Sequence, residues 1–380
     1  MASKSRSFGK AILTMTGTII GAGIIALPAT FSRVGFWPGT FLFFFLSAVV
    51  IVTHLLYVEV ILASKKNLRL PGYVREGLGD IGFRAATMSY PLQIIGSNVA
   101  YIILGGEFFA ILARHAGLTI PTSIWQLTFW LVGALTVLFG LRFVAAVEFY
   151  ATGLLLLGLI LAGVVVSPFV DVSLIQIGSP TGWLLPFGVF LFSLSGLSII
   201  SEVVELTGRK RSLSYGAVTL GTGIAALFSW GFGVIMYLAA RGYPIRTSAE
   251  LISVLPSMWT WLIPLLGFLA VATSYITTAK DLEAALRSDY KLSLHESTAI
   301  ALLTPLALFI LIARDFLSTI GFVGAVFIGM NCIMVSLLAL KEFHKLRRRL
   351  PRLLGSILTV FMISVYLFGI FQKLFSRESL

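Results

Sequence analysis

The sequence predicts an all-α membrane protein of about 11 transmembrane helices, built as two inverted five-helix repeats followed by one extra helix. Three observations predict it. The composition is too apolar for a water-covered surface, apolar stretches of span length recur along the whole chain, and the first helix of each half is interrupted.

Of the 380 residues, 58% are hydrophobic and only 12% charged, with a mean hydropathy of +0.98. A soluble domain of this size needs far more charge to cover its exterior. Apolar stretches of roughly 20 residues are long enough to cross a bilayer as helices. They fall at 8–32, 38–63, 86–112, 122–141, 143–167, 184–206, 214–240, 260–283, 297–313, 316–340 and 354–372. The whole chain, 1–380, reads as a single transmembrane domain. The longest polar stretch, Ser64 to Arg84, contains Pro71, Gly72, Gly77 and Gly79, and reads as a loop carrying a short surface helix.

The net charge of +12 invites a nucleic-acid reading, which its placement excludes. Lys and Arg gather between spans: Lys65, Lys66, Arg69, Arg75 and Arg84; Arg209, Lys210 and Arg211; Lys341, Lys345, Arg347, Arg348, Arg349 and Arg352. With the N-terminus inside, 21 of the 28 basic residues face the cytoplasm; Arg33, Arg114, Arg241, Arg246, Arg314, Lys373 and Arg377 lie outside. That asymmetry follows the retention of basic segments on the inner face, and predicts a multi-pass cell-membrane protein with a cytoplasmic N-terminus. The first apolar run follows Lys4 and Arg6 like a signal peptide, but glycines interrupt its core, it ends at Pro28, and no small-x-small cleavage site follows. The one cysteine, Cys332, lies within a span and excludes an intrachain disulfide.

Spans one to five occupy 8–167 and spans six to ten 184–340, with span eleven at 354–372. Each block holds an odd number of spans, so the second enters the membrane with opposite orientation. Inverted repeats of this kind place their site at the midplane, where the first helix of each repeat is discontinuous. Span one reads Gly17-Thr18-Ile19-Ile20-Gly21-Ala22-Gly23-Ile24-Ile25-Ala26-Leu27-Pro28. Each helical glycine costs about 1 kcal/mol relative to alanine. Pro28 has no N–H and clashes with the carbonyl of Ile24. A break around Gly21–Gly23 leaves main-chain groups unpaired, which is tolerable at membrane depth only where they line a cavity. Amides opening the outer half-helix suit a carboxylate. The same glycines also suit close helix packing. The match to a dinucleotide fingerprint, Gly21-x-Gly23-x-x-Ala26, fails because no strand precedes it. Span six carries Phe190-Leu191-Phe192-Ser193-Leu194-Ser195-Gly196 at mid-span, where serines can bond main chain that leaves the ladder and glycine permits the turn. The candidate substrate residues are therefore Gly21, Ala22, Gly23, Phe192, Ser193, Leu194, Ser195 and Gly196, with the Tyr101 hydroxyl of span three facing them.

The Gly17–Pro28 run resembles the first-helix signature of the amino acid–polyamine–organocation superfamily, of the amino acid/auxin permease or bacterial aromatic amino acid permease type. Val99-Ala100-Tyr101-Ile102-Ile103-Leu104-Gly105-Gly106 and Glu202-Val203-Val204-Glu205-Leu206 agree with it. The resemblance covers most of the chain and implies a LeuT-like five-plus-five fold and amino acid symport. One departure is Asn331, where such permeases often carry a proline.

Residues three and four apart share a helix face, so Ala270, Thr273 and Ser274 of span eight can offer a carbonyl and two hydroxyls together. Sodium takes oxygen ligands, and carbonyls of Gly17 and Ile20 would complete its shell. Ala-x-x-Thr-Ser resembles the sodium pattern of LeuT-like transporters; Ser274-x-x-Thr277-Thr278 is a second frame. Small hydroxyl residues also serve plain helix contacts. Protons are the alternative coupling ion, with Glu202 the best carboxylate because an ionisable group within a span is functional by default. Asp281 and Glu283, closing span eight, are placed to pair with basic loop residues as an inner gate.

The expected function is ion-coupled symport of a neutral amino acid, aromatic ones among the candidates, by alternating access, without enzymatic chemistry or cofactor beyond the coupling ion. The expected partners are the amino acid and membrane lipids, with no nucleic acid, the protein being a monomer or weak homo-oligomer. The alternatives are a carrier of another small solute on the same scaffold and a transport-dead amino acid sensor.

Overall fold

The structure is a computed structural model that describes residues 2–64, 66, 68–139, 153, 156–175, 186–240, 250, 259–312, 315–345 and 352–375. Most of the first half of predicted span five, the start of span six, and Lys65, Arg241, Arg246, Arg314, Arg347, Arg348, Arg349 and Arg377 lie outside them.

Every regular element among the described residues is helical. In chain order they are α1 (Ala2–Ile19), α2 (Gly23–Val34), α3 (Phe36–Ala63), α4 (Leu70–His115), α5 (Thr122–Phe139), α6 (Leu156–Phe169), α7 (Phe187–Leu194), α8 (Ile200–Leu206), α9 (Arg211–Ala239), α10 (Trp259–Ser288), α11 (Leu294–Leu311), α12 (Phe316–Phe322), α13 (Gly329–Lys345) and α14 (Arg352–Phe375). Between α12 and α13, Val323–Ile328 forms a π-helical turn. Among the described residues eight helices are long and apolar enough to cross a membrane, or nine when the bent pair α1–α2 counts as one span. Shorter apolar helices fall on predicted spans four and five.

The ends of these helices follow local chemistry. Pro71 sits in the first turn of α4, where no amide is needed. The loop expected up to Arg84 is therefore helical from Leu70, with a kink at Gly79 (φ 73°). Ser293 and Glu296 form a reciprocal capping box at the start of α11. Asp315 caps α12 by accepting the Ser318 amide at 2.6 Å.

Two groups of helices pack around the breaks. In one, α1, α2 and α3 all pack on α9, and α3 also packs on α7 and α8. In the other, α4 packs on α5, α10, α11 and α12, with α13 bridging α3 and α4. The outward faces carry large apolar side chains: Phe41, Leu138, Ile310 and Phe371 are all exposed. A belt of that kind is a hydrocarbon-facing surface, since in water it would drive association. The groups also meet at a backbone-to-backbone crossing, where a Cβ on Gly188 of α7 would lie 1.9 Å from the Gly321 carbonyl oxygen, and one on Gly324 1.9 Å from that of Gly188. Only residues without a side chain permit that approach.

Candidate substrate and ion site

The chain leaves the helical ladder at Ile20–Ala22, and α1 and α2 meet there at 54°. Ile20 N–H still reaches the Thr16 carbonyl at 2.9 Å, while Gly21 N–H turns to Ile19 at 2.9 Å. Among the described residues the amides of Ala22 and Gly23 donate no backbone hydrogen bond, and the carbonyls of Gly17 and Thr18 accept none. The Ile20 carbonyl likewise accepts none, so the break offers two donors on its outer side and three acceptors.

The second break lies between α7 and α8. Ser195 is extended (φ −74°, ψ 130°), Gly196 turns (φ −138°, ψ 22°), and a short 3-10 turn, Leu197–Ile199, leads into α8. The two breaks touch. Ser193 Oγ lies 2.9 Å from the Gly23 carbonyl oxygen and 2.8 Å from that of Val189, sharing one hydrogen between them. A Cβ on Gly23 would stand 2.7 Å from Ser193 Cα, closer than carbon atoms can sit.

A cavity of about 410 Å³ begins at Gly17, Thr18, Tyr101, Thr273 and Ser274, within the size range of small-molecule sites. It widens past Glu202 and Arg69, which also line a second cavity of about 600 Å³ beside Glu205 and Ser288. The opening lies on the face that carries the N-terminal segment, where Ser7 donates to the Leu206 carbonyl and Arg209 reaches the carbonyls of Ile61 and Ser64 at 2.7 and 2.6 Å. The opposite side is closed by aromatic rings. Phe190 packs between Phe31 (5.7 Å) and Phe43 (5.2 Å), and Phe192 stands edge-on to Tyr101 at 6.4 Å. A pocket beside Ile24 and Ile25 holds about 10 Å³.

The structure distributes the residues singled out by sequence unevenly. Gly17, Tyr101, Thr273 and Ser274 line the main cavity directly. Gly21 backs onto Ser274, whose Oγ lies 2.7 Å from where a glycine Cβ would be. Ala22 and Gly23 supply the free amides, and Ser193 joins the breaks. Leu194 is fully buried, and Ile20 and Ala270 nearly so. The Ala270 carbonyl already accepts the Thr273 hydroxyl at 3.1 Å, and that hydroxyl also reaches Leu269 at 3.0 Å. Thr277 and Thr278 face the same cavity, so both hydroxyl frames of span eight reach it. Glu202 is exposed at the cavity wall, in the first turn of α8.

Of the two acids expected to meet basic loop residues, Asp281 does, while Glu283 pairs within its own helix. Arg69 Nε is 3.2 Å from Asp281 Oδ1, and the Tyr90 hydroxyl donates to Oδ2 at 2.5 Å. Asp281 holds the Arg69 guanidinium above its ordinary pKa. Glu283 pairs with Lys280 of its own helix at 3.1 Å and accepts from Thr298 at 2.9 Å. Asp289 accepts the Gly72 amide at 3.0 Å, and burial raises its carboxyl pKa.

Sequence reasoning missed two polar contacts beside the site. The Thr278 hydroxyl donates to Asn98 Oδ1 at 2.6 Å, and His54 Nε2 receives the Gly196 amide at 3.2 Å. A histidine in the middle of an apolar span is costly enough to be its own signal; its partner, far away in the chain, left none.

This is the arrangement of a LeuT-like membrane transporter. Solved structures of similar fold include Mhp1, a nucleobase-cation-symport-1 family transporter, closed with bromovinylhydantoin bound (TM-score 0.62, 13% identity, 96% of this chain and 89% of that one). MhsT in complex with L-phenylalanine is another (0.66, 14%, 96% and 97%), and a manganese transporter of Eremococcus coleocola a third (0.67, 11%, 98% and 88%). The chain belongs to the tryptophan/tyrosine permease family, whose pattern matches residues 4–376. A curated relative, "Tyrosine-specific transport system 2" of Haemophilus influenzae, is 31% identical over 116 residues, which span 30% of this chain and 28% of that protein.

Proposed function

We propose that the protein is an ion-coupled symporter of aromatic amino acids, of the bacterial aromatic amino acid permease type, working by alternating access in the cell membrane with its N-terminus in the cytoplasm. The observation that carries this is the contact of two helix breaks, Ser193 on Gly23, together with a cavity lined by Gly17 and Thr18, whose carbonyls accept no backbone hydrogen bond. The substrate carboxylate takes the amides of Ala22 and Gly23, preorganised by the start of α2. Its ammonium takes carbonyls of the breaks, around Gly21 and Ser193–Gly196. Its ring lies against Tyr101 and Phe192, whose edge-on pair offers an aromatic wall. The family's description and the tyrosine transporter among the relatives support this choice of side chain.

Residues 8–167 and 184–340 act as the two inverted units in this reading. The cation sits between the inner half of span one, at Gly17 and Ile20, and Ala270, Thr273 and Ser274 of span eight. Sodium suits that oxygen-rich setting; proton coupling would place the proton on Glu202. The fold alone does not choose the cargo, since nucleobase and manganese carriers share it. The test is uptake of labelled tryptophan and tyrosine into proteoliposomes under an imposed sodium or proton gradient. Accumulation under one of them is expected; none under either rejects symport, and uptake of another solute class instead rejects the substrate.

A further inference from the structure

His54 is fully buried in the middle of α3, deep in the apolar part of the chain. Both ring nitrogens are engaged. Nε2 is 3.2 Å from the Gly196 nitrogen and Nδ1 is 3.1 Å from Thr222 Oγ1 in α9. A backbone N–H can only donate, so Nε2 is the acceptor and the ring is neutral. The one ring hydrogen is then on Nδ1, where the Thr222 hydroxyl oxygen accepts it.

The amide so received is a special one. Gly196 has left the ladder, and in a bilayer an amide without a partner is expensive. On its other side a Cβ at Gly196 would lie 2.9 Å from both Ile19 and Met15, so the turn is gripped between α1 and the imidazole. The residue before the histidine is anchored too: Thr53 Oγ1 lies 2.6 Å from the Tyr366 hydroxyl of α14. Beside Thr222, the Gly221 carbonyl accepts the Thr16 hydroxyl of α1 at 3.1 Å. One polar seam therefore runs from span one through spans seven and two to the break in span six.

We infer that His54, held as its Nδ1–H tautomer by Thr222, is a positioning residue that fixes the Gly196 amide and so sets the shape of the Ser193–Gly196 turn that grips substrate. This rests on the transport reading above. The ring touches no substrate; it acts through the turn.

The test compares tryptophan uptake by wild type, His54→Leu and His54→Gln in proteoliposomes at matched protein content and thermal stability. The glutamine amide can accept from Gly196 and donate to Thr222; leucine can do neither. His54→Leu raises KM about tenfold or more, because it leaves a buried donor orphaned, with Vmax changed less; His54→Gln stays within about threefold of wild type. A wild-type KM in His54→Leu, or a glutamine variant no better than leucine, overturns the inference. The unaltered protein gives a second reading. Nitrogen-15 NMR in nanodiscs, with His54 assigned by its loss in His54→Gln, shows the Nδ1–H tautomer, and an Nε2–H tautomer overturns the proposal. Wild type that moves no aromatic amino acid would defeat the transport reading instead, and the tautomer would still decide the hydrogen bond.

Discussion

At the scale of single residues the site is defined by what glycine omits. Gly23 lets the breaks touch, and a Cβ there meets Ser193 Cα at 2.7 Å, main chain that cannot swing aside. Gly23→Ala is expected to lower tryptophan uptake about a hundredfold, the scale of an ångström-sized misplacement. Gly223→Ala, with nothing within 4 Å, should transport normally and serves as the control. The first of the two hydroxyl frames of span eight that reach the cavity makes a separate prediction. Thr273→Ala combined with Ser274→Ala removes sodium stimulation of uptake; retained stimulation would rule out that frame and turn attention to Thr277 and Thr278.

At the scale of helices, the features with local causes were legible and the features made by distant partners were not. Three glycines and Pro28 announce the first break, and a Ser-x-Ser-Gly cluster the second, because each residue weakens its own stretch of ladder. The loop expected before Arg84 is instead largely helix: Pro71 starts it and Gly79 bends it, a distinction composition alone does not draw. Arg69 with Asp281 and His54 with Gly196 pair across 212 and 142 positions, and nothing near either residue signals the other. The crossing of α7 on the π turn was hidden for the same reason. Gly324→Val would force two main chains apart and should destabilise by about 3 kcal/mol or more, seen as a lower unfolding temperature in detergent. Where α10 meets the start of α4, Asp289 supplies a pH test. Burial raises its folded carboxyl pKa, so the protein holds that proton more tightly than the unfolded chain does. The associated stability is present below the ordinary carboxylate range and is lost as pH rises through the folded value. Asp289→Asn keeps an acceptor for Gly72 and should flatten the fall in unfolding temperature as pH rises above the ordinary carboxylate range.

At the scale of the molecule, the cavity is open on one face and sealed by Phe31, Phe43 and Phe190 on the other. Thr277→Cys should therefore react with a membrane-impermeant thiol reagent from the side of the N-terminus, and Phe190→Cys from neither side. The native Cys332 is buried and gives no background. Labelling of Thr277→Cys from the opposite side only would show that the cavity opens away from the N-terminus.

The widened turn at Val323–Ile328 has a consequence for the rest of span ten. A turn of this type holds one residue more than its α-helical equivalent, so everything after it is rotated by about 100° relative to an uninterrupted helix. Asn331 is thereby aimed at Ser89 and Gln93, both 2.6 Å away, rather than at a neighbouring face. Shortening that stretch by a single residue would swing the amide off its partners while leaving every other side chain unchanged. The length of this segment, as much as its composition, is what specifies the contact between spans three and ten.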